Sequence, residues 1–131
     1  MHMRGATTQM ERRNIIRGKD IADYSVRNPS GEDLGNIKDI VVDINEGCTA
    51  YAALSFGGIM GLGDKLFAVP WAALQYNASD DSFVLDVPKE QLENAPGFDK
   101  GNWPTTAERE WLTGMYSHYG YTPYWERRQE R

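Results

Sequence analysis

The sequence has little of the chemistry on which metal sites, disulfides and many catalytic centres depend. Its 131 residues include one cysteine, Cys48, and two histidines, His2 and His118. A single cysteine excludes an internal disulfide, and so few soft ligands cannot form a zinc cluster. Dinucleotide-binding and nucleophile-elbow motifs are also absent. We therefore expect no metal, no cofactor and no catalytic residues.

Long apolar runs are missing as well. No stretch approaches the ~18 apolar residues of a membrane-spanning helix. The first residues, MHMRGATTQMERRN, lack the apolar core of a signal peptide. These absences predict a cytoplasmic protein without membrane insertion, and the length favours one domain.

Positive charge is scarce outside the two ends of the chain. Residues 1–19 carry five basic groups and one acid, whereas residues 20–88 carry three basic groups and eleven acids. An acidic domain repels a phosphate backbone, so nucleic acid is not an expected partner. We expect residues 1–19 to be a flexible, solvated basic arm.

The acidic segment contains short apolar runs separated by turn signals, which is typical of a small barrel or sandwich. Ile40, Val42 and Ile44 alternate as in a half-buried strand. Ile37 is one residue out of phase with them, which predicts a β-bulge near Lys38 and Asp39. The stretches NPSG and NEG, residues 28–31 and 45–47, predict turns.

The strand after the second turn is apolar on both predicted faces. One face carries Ala50, Ala52, Leu54 and Phe56, and the other carries Tyr51, Ala53 and Ser55. Burial of both faces is typical of a strand that is covered on each side by other elements.

A glycine-rich stretch, GGIMGLGD at residues 57–64, allows two interpretations. It lacks the lysine and following helix of a phosphate-binding loop, so a flexible hairpin loop is favoured. Its apolar residues Ile59, Met60 and Leu62 either fold back onto the domain or contact another chain.

The next stretch, GDKLFAVPWAAL, predicts a strand that ends at Pro70 and a tight turn at Trp71. Because the interior of a small barrel holds only side chains, Phe67, Pro70 and Trp71 are predicted to belong to the structural core. The alternative is that Trp71 is a platform for a ligand.

Eight of the chain's fifteen aromatic residues lie from Phe98 onward. A capping box at residues 105–108 predicts one helix that ends before Gly120. Such an aromatic segment must pack on something, either its own barrel or a second subunit. We favour a dimer whose candidate interface comprises Ile59, Met60, Leu62, Trp103, Trp111, Tyr119 and Trp125.

The segment GEDLGNIKDIVVDINEGCTAYAALSFGG, followed by GDKLFAVPWAAL, resembles the PRC-barrel domain. That small β-barrel is named for the cytoplasmic part of the photosynthetic reaction centre H subunit, and a related barrel forms the C-terminal half of a ribosome maturation factor. NAPGFDKGNWP and YSHYGYTPYW look like the extension of stand-alone bacterial PRC-barrel proteins.

The resemblance implies a mainly β fold, with a PRC-type barrel of about six strands over residues 20–98. A short helix and an aromatic C-terminal extension with one helix, residues 99–131, complete the expected fold. It also implies a non-catalytic protein–protein interaction or assembly module. We expect this module to be homo-oligomeric and to bind a further, unidentified protein partner. The alternative function is small-ligand binding by the loop 57–64 and nearby aromatic residues.

The charge distribution gives the first testable prediction. Residues 20–131, without the basic arm, should not bind DNA or RNA at ~150 mM salt, because affinity for the phosphate backbone depends on basic contacts. An electrophoretic mobility-shift titration checks this. A shift at micromolar protein concentration would contradict it.

Overall fold

The structure is a computed structural model that describes residues 14–56, 65–95 and 97–129. Most of the predicted basic arm, residues 1–13, lies outside the described residues. The glycine-rich loop lies outside them too, with Ile59, Met60 and Leu62.

The fold is mainly β, as the sequence predicts. Seven strands form one sheet, and their residue ranges are β1 Ser25–Arg27, β2 Asp33–Asp43, β3 Cys48–Ser55, β4 Lys65–Val69, β5 Leu74–Asn77, β6 Ser82–Leu85 and β7 Gly97–Asp99. Their order across the sheet is β5-β6-β1-β2-β3-β4-β7. Neighbouring strands are antiparallel except β1 and β6, which are parallel. The sheet is not closed within the described residues, because β5 and β7 form its two edges.

The predicted bulge is present in β2. Ile37 pairs with Leu54 and Asp39 pairs with Ala53, so Lys38 is the extra residue in the β2–β3 ladder. The bulge explains the phase change in the apolar pattern, because it shifts the residues beyond it by one position relative to Ile37. Ile37 is buried in the core.

Both predicted turns are confirmed. Gly31 donates its N–H to the carbonyl of Asn28 over 2.9 Å, and Gly47 donates to the carbonyl of Asp43 over 2.8 Å. Both glycines have positive φ. The buried amide of Asn28 also donates to the carbonyl of Val87 over 3.1 Å, which ties the first turn to the chain after β6.

Four α-helices and one 3-10 helix complete the described part. The 3-10 helix, Trp71–Ala73, is the turn that the sequence predicts after Pro70. The α-helices are α1 Gly18–Ile21, α2 Lys89–Glu93, α3 Arg109–His118 and α4 Tyr124–Gln129. None of these helices is long and apolar enough to cross a membrane.

The prediction for the C-terminal extension is partly wrong. The extension contains two helices, not one. The capping box does not form, because Glu108 has an extended backbone and the first helical residue is Arg109. The end of α3 is confirmed, since Gly120 has positive φ. Its N–H donates to Ser117, and the N–H of Tyr121 donates to Tyr116. These two bonds form a Schellman motif.

The sequence pattern did not indicate β7, which begins at Gly97 and pairs antiparallel with β4. Glycine is required there by close packing, because a Cβ on Gly97 would lie 2.7 Å from the carbonyl oxygen of Leu66. Three residues are too few to show an alternating pattern.

The strand β3 is buried on both faces, as predicted. Alanines and Leu54 face the core, and Tyr51 and Ala53 on the other face are also buried. The C-terminal extension supplies the second cover. Trp111 packs edge-to-face on Tyr51 at 5.6 Å between ring centroids, and Tyr116 donates its hydroxyl to the carbonyl of Ala50 over 2.6 Å. The extension therefore packs on the sheet of its own chain.

The second prediction concerns Gly35 in β2. Gly35 has a φ of +104°, and a Cβ built on it would collide with the carbonyl of Ser55. Gly35→Ala should lower the free energy of unfolding by about 3 kcal/mol, from backbone strain plus overpacking. Gly31→Ala is the matched control, because Gly31 has a φ of +92° but nothing within 4 Å of its Cβ position.

Urea denaturation of both variants measures the difference. The control should lose only about 1 kcal/mol. Equal losses in the two variants would contradict the clash.

Candidate functional site

An apolar groove lies where β2 emerges beyond its bulge. The start of the described chain, α1, the 3-10 helix and the strands β3, β5 and β6 also contribute to it. Its volume is about 440 Å³, which is within the range of ligand and interaction clefts. The groove is lined by Asn14, Ile15, Ile16, Gly18, Ile21, Asp39, Ile40, Val42, Thr49, Trp71, Tyr76 and Phe83.

Aromatic side chains form one wall of the groove. Pro70 is buried at the end of β4, and its carbonyl accepts the N–H of Ala73 over 3.0 Å to form the 3-10 turn. This turn places the ring centroid of Trp71 5.5 Å from that of Phe83. The ring centroid of Tyr76 also lies 5.5 Å from that of Phe83. Trp71 is half-buried, so it packs against the core and also contributes to the groove wall.

The edge of the groove exposes large aliphatic side chains. Val42 is 56% exposed and Ile15 is 82% exposed, and both line the groove. Ile44, two residues beyond Val42, is 88% exposed. The prediction that Val42 and Ile44 lie on a half-buried face is therefore wrong for the isolated chain, because no described residue covers this end of β2.

Charged and metal-binding groups are sparse at the groove. Asp39 is the one charged residue in its described lining, and its carboxylate accepts the N–H of Ile40 over 2.8 Å. No group of three or more His, Cys, Asp or Glu side chains among the described residues could hold a metal ion. The described lining of the groove therefore offers mainly apolar contact area, with no basic side chain to pair with Asp39.

The residue after Val42, Asp43, faces the C-terminal extension instead. Its buried carboxylate accepts the hydroxyl of Tyr124 over 2.6 Å and the N–H groups of Asn45 and Glu46 over 3.0 Å each. An alternation that buries Ile40, Val42 and Ile44 would leave Asp43 exposed to solvent, whereas the structure buries it. Its partner lies 81 residues away in the chain, so local spacing could not reveal it.

These bonds favour the ionised form of Asp43. The Tyr124 hydroxyl chiefly, with the two backbone N–H groups and the Arg109 guanidinium, lowers the pKa of Asp43 below its usual 3.8, although burial opposes this. Burial first, and then the neighbouring Asp43 carboxylate, raises the pKa of Tyr124.

Arg109, at the surface, also helps to attach the C-terminal extension to the end of β2 and the turn that follows it. Its guanidinium lies 4.2 Å from the ring centroid of Trp125 and 3.4 Å from a carboxylate oxygen of Glu46. A cation over an indole face is favourable by roughly 0.5–1 kcal/mol at an exposed position. The turn after β2 is thus joined to both helices of the extension.

The structure separates the other residues of the predicted interface. Tyr119 and Trp125 are buried within the chain, whereas Trp103 and Trp111 are half-buried and line a second cleft. Of the residues predicted to form the structural core, Phe67 and Pro70 are buried.

The groove residues Ile15, Val42 and Tyr76 were not predicted as a site. The sequence feature that could have indicated the groove was the alternation of Ile40, Val42 and Ile44.

Comparison with known proteins identifies the family. The PRC-barrel domain model matches residues 13–92, which is more than half of the chain. The chain belongs to the PRC-barrel family. Every residue that lines the groove lies inside the matched segment of this PRC-barrel protein, whereas the extension lies beyond it. A search of curated proteins found no match to the chain.

The third prediction tests the bond between Asp43 and Tyr124. Tyr124→Phe should lower the free energy of unfolding at pH 7 by about 1.5–3 kcal/mol, because it removes a hydrogen bond to a buried charged group. Since the folded-state pKa of Asp43 is lowered, this stabilisation is present above pH 3.8 and is lost as the pH falls through the folded-state pKa.

Urea denaturation of wild type and variant between pH 7 and pH 3 measures the difference. The gap between the two proteins should narrow toward pH 3. Tyr121→Phe, a half-buried tyrosine in the same extension, is the control and should show a small, pH-independent effect. A gap for Tyr124→Phe that is unchanged over the whole range would contradict the assignment.

Proposed function

We propose that this PRC-barrel protein is a non-catalytic protein–protein interaction or assembly module, and that the apolar groove is its contact surface. The observation that carries the proposal is the exposure of apolar side chains at the end of β2. Its pattern is that of a half-buried strand, yet Val42 and Ile44 are exposed in the isolated chain. Contact with another protein would supply the missing cover.

The composition of the groove supports this role. Interface cores are depleted in charge and enriched in aromatic residues, and the groove combines Trp71, Tyr76 and Phe83 with aliphatic side chains and one carboxylate. Trp and Tyr are also the residues that most often dominate the binding energy of an interface.

Self-association is the form of assembly that we propose. Most soluble oligomers are homo-oligomers, and a two-fold dimer brings the same patch of both subunits together. Two copies of the exposed aliphatic edge would then cover each other. A cytoplasmic location is part of the proposal and is compatible with the unpaired Cys48.

The fourth prediction tests the groove as the contact surface. Val42→Glu and Ile15→Glu should each weaken dimerisation by about tenfold or more, because they place a charge in an apolar interface. Thr113→Glu is the control, because Thr113 is an exposed residue of α3 outside the groove. It adds the same charge and should leave the dimer unchanged.

Light scattering coupled to size-exclusion chromatography, over a range of protein concentrations, gives the mass of each protein. Thermal denaturation verifies that the variants are folded. A wild type that is monomeric at every concentration contradicts self-association. A wild-type dimer that both groove variants retain contradicts the groove as the interface.

A further inference from the structure

A second cleft lies between β7 and the start of α3, in the C-terminal extension. Its volume is about 360 Å³. Aromatic side chains form its walls and small polar side chains lie around them. Its principal residues are Phe98, Trp103, Trp111, Asn102, Thr105 and Glu108.

The three aromatic rings are inclined to one another. The ring centroid of Phe98 lies 5.0 Å from that of Trp103 at an interplanar angle of 58°, and 6.5 Å from that of Trp111 at 68°. Tyr51 packs edge-to-face behind Trp111 and fixes that wall. Neighbouring rings at these distances pack against each other, and all three side chains remain half-buried. The parts of the rings that this packing leaves accessible border the cleft.

The charge of the cleft favours a cation. Glu108 is the charged residue among the described residues that line it, and the whole chain carries a net charge of −5. The faces of aromatic rings are the negative ends of their quadrupoles and attract cations within about 6 Å of the ring centroid. An anion would meet a carboxylate there with no basic side chain in the lining.

We propose that this aromatic cleft binds a quaternary or alkylated ammonium group, with Trp103 and Trp111 as walls and Glu108 as the counter-charge. This inference goes beyond the proposed interaction role and does not depend on it. The size of the cleft fits a small ligand. The ligand chemistry is that of a free choline-like ion or of a choline lipid headgroup.

The direct test is a titration of the full-length protein with choline chloride, followed by NMR of the tryptophan indole N–H signals. Trp103→Phe and Trp111→Phe variants assign these signals. We expect saturable shifts at Trp103 and Trp111 with a Kd of about 1–10 mM, a range suited to a ligand of few atoms. Potassium chloride at the same concentration controls for ionic strength.

The neutral analogue 3,3-dimethylbutan-1-ol controls for shape without charge. Binding of choline with no response to the neutral analogue supports the proposal. Equal responses to both compounds, or no saturable shift with choline, overturn it. A response to glucose in place of choline also overturns it, because it identifies a sugar site.

Two variants test the roles of individual residues. Trp103→Leu should weaken choline binding by about three- to tenfold, and Glu108→Gln should weaken it by about two- to fivefold. Glu110→Gln is the matched control, since Glu110 is exposed on α3 and does not line the cleft. An equal effect of the two glutamate variants would contradict the role of Glu108.

Co-sedimentation with phosphatidylcholine vesicles distinguishes the source of the ammonium group. Binding of free choline without co-sedimentation identifies a small-molecule site. Co-sedimentation that choline displaces and that Trp103→Leu abolishes identifies a lipid headgroup. Co-sedimentation that is reduced neither by choline nor by Trp103→Leu overturns the assignment of the cleft.

Discussion

The burial of β3 on both of its faces is the constraint on which the rest of the structure depends. Alanines at positions 50, 52 and 53 leave little side-chain volume on this strand, so neighbouring elements approach it closely on either side. Other strands of the sheet cover one face of β3, and the C-terminal extension covers the other face. The hydrogen bond from Tyr116 to the carbonyl of Ala50 fixes their separation. Without the extension, Tyr51 would lose the edge-to-face packing of Trp111.

The strand β2 shows how one sequence segment serves two different surfaces. Successive side chains of a strand point to opposite faces, so Asp43 and Val42 meet different surroundings. Asp43 points toward Tyr124 and holds the extension, whereas Val42 points into the groove. The bulge at Lys38 and a second register shift between Val41 and Val42 both alter the β2–β3 pairing before these two residues.

Features encoded by neighbouring residues were predictable from the sequence, whereas features that join distant segments were not. The phase change after Ile37 predicted the bulge, and Gly120 predicted the end of α3. By contrast, nothing near Asp43 indicates a tyrosine 81 residues later, and the groove joins residues from both ends of the matched domain. The exposure of Val42 could not be predicted, because alternation shows which residues share a face of the strand but not whether another element covers that face.

The two proposed sites belong to different parts of the chain. The groove lies within residues 13–92, the segment that defines the PRC-barrel family, so an apolar contact surface there can be a property of the shared domain. The aromatic cleft begins at Gly97, beyond that segment. Trp111 packs on Tyr51 of β3, so the extension that covers the sheet also forms part of the cleft. Any ammonium-binding property should therefore accompany this extension and its aromatic residues, independently of the groove.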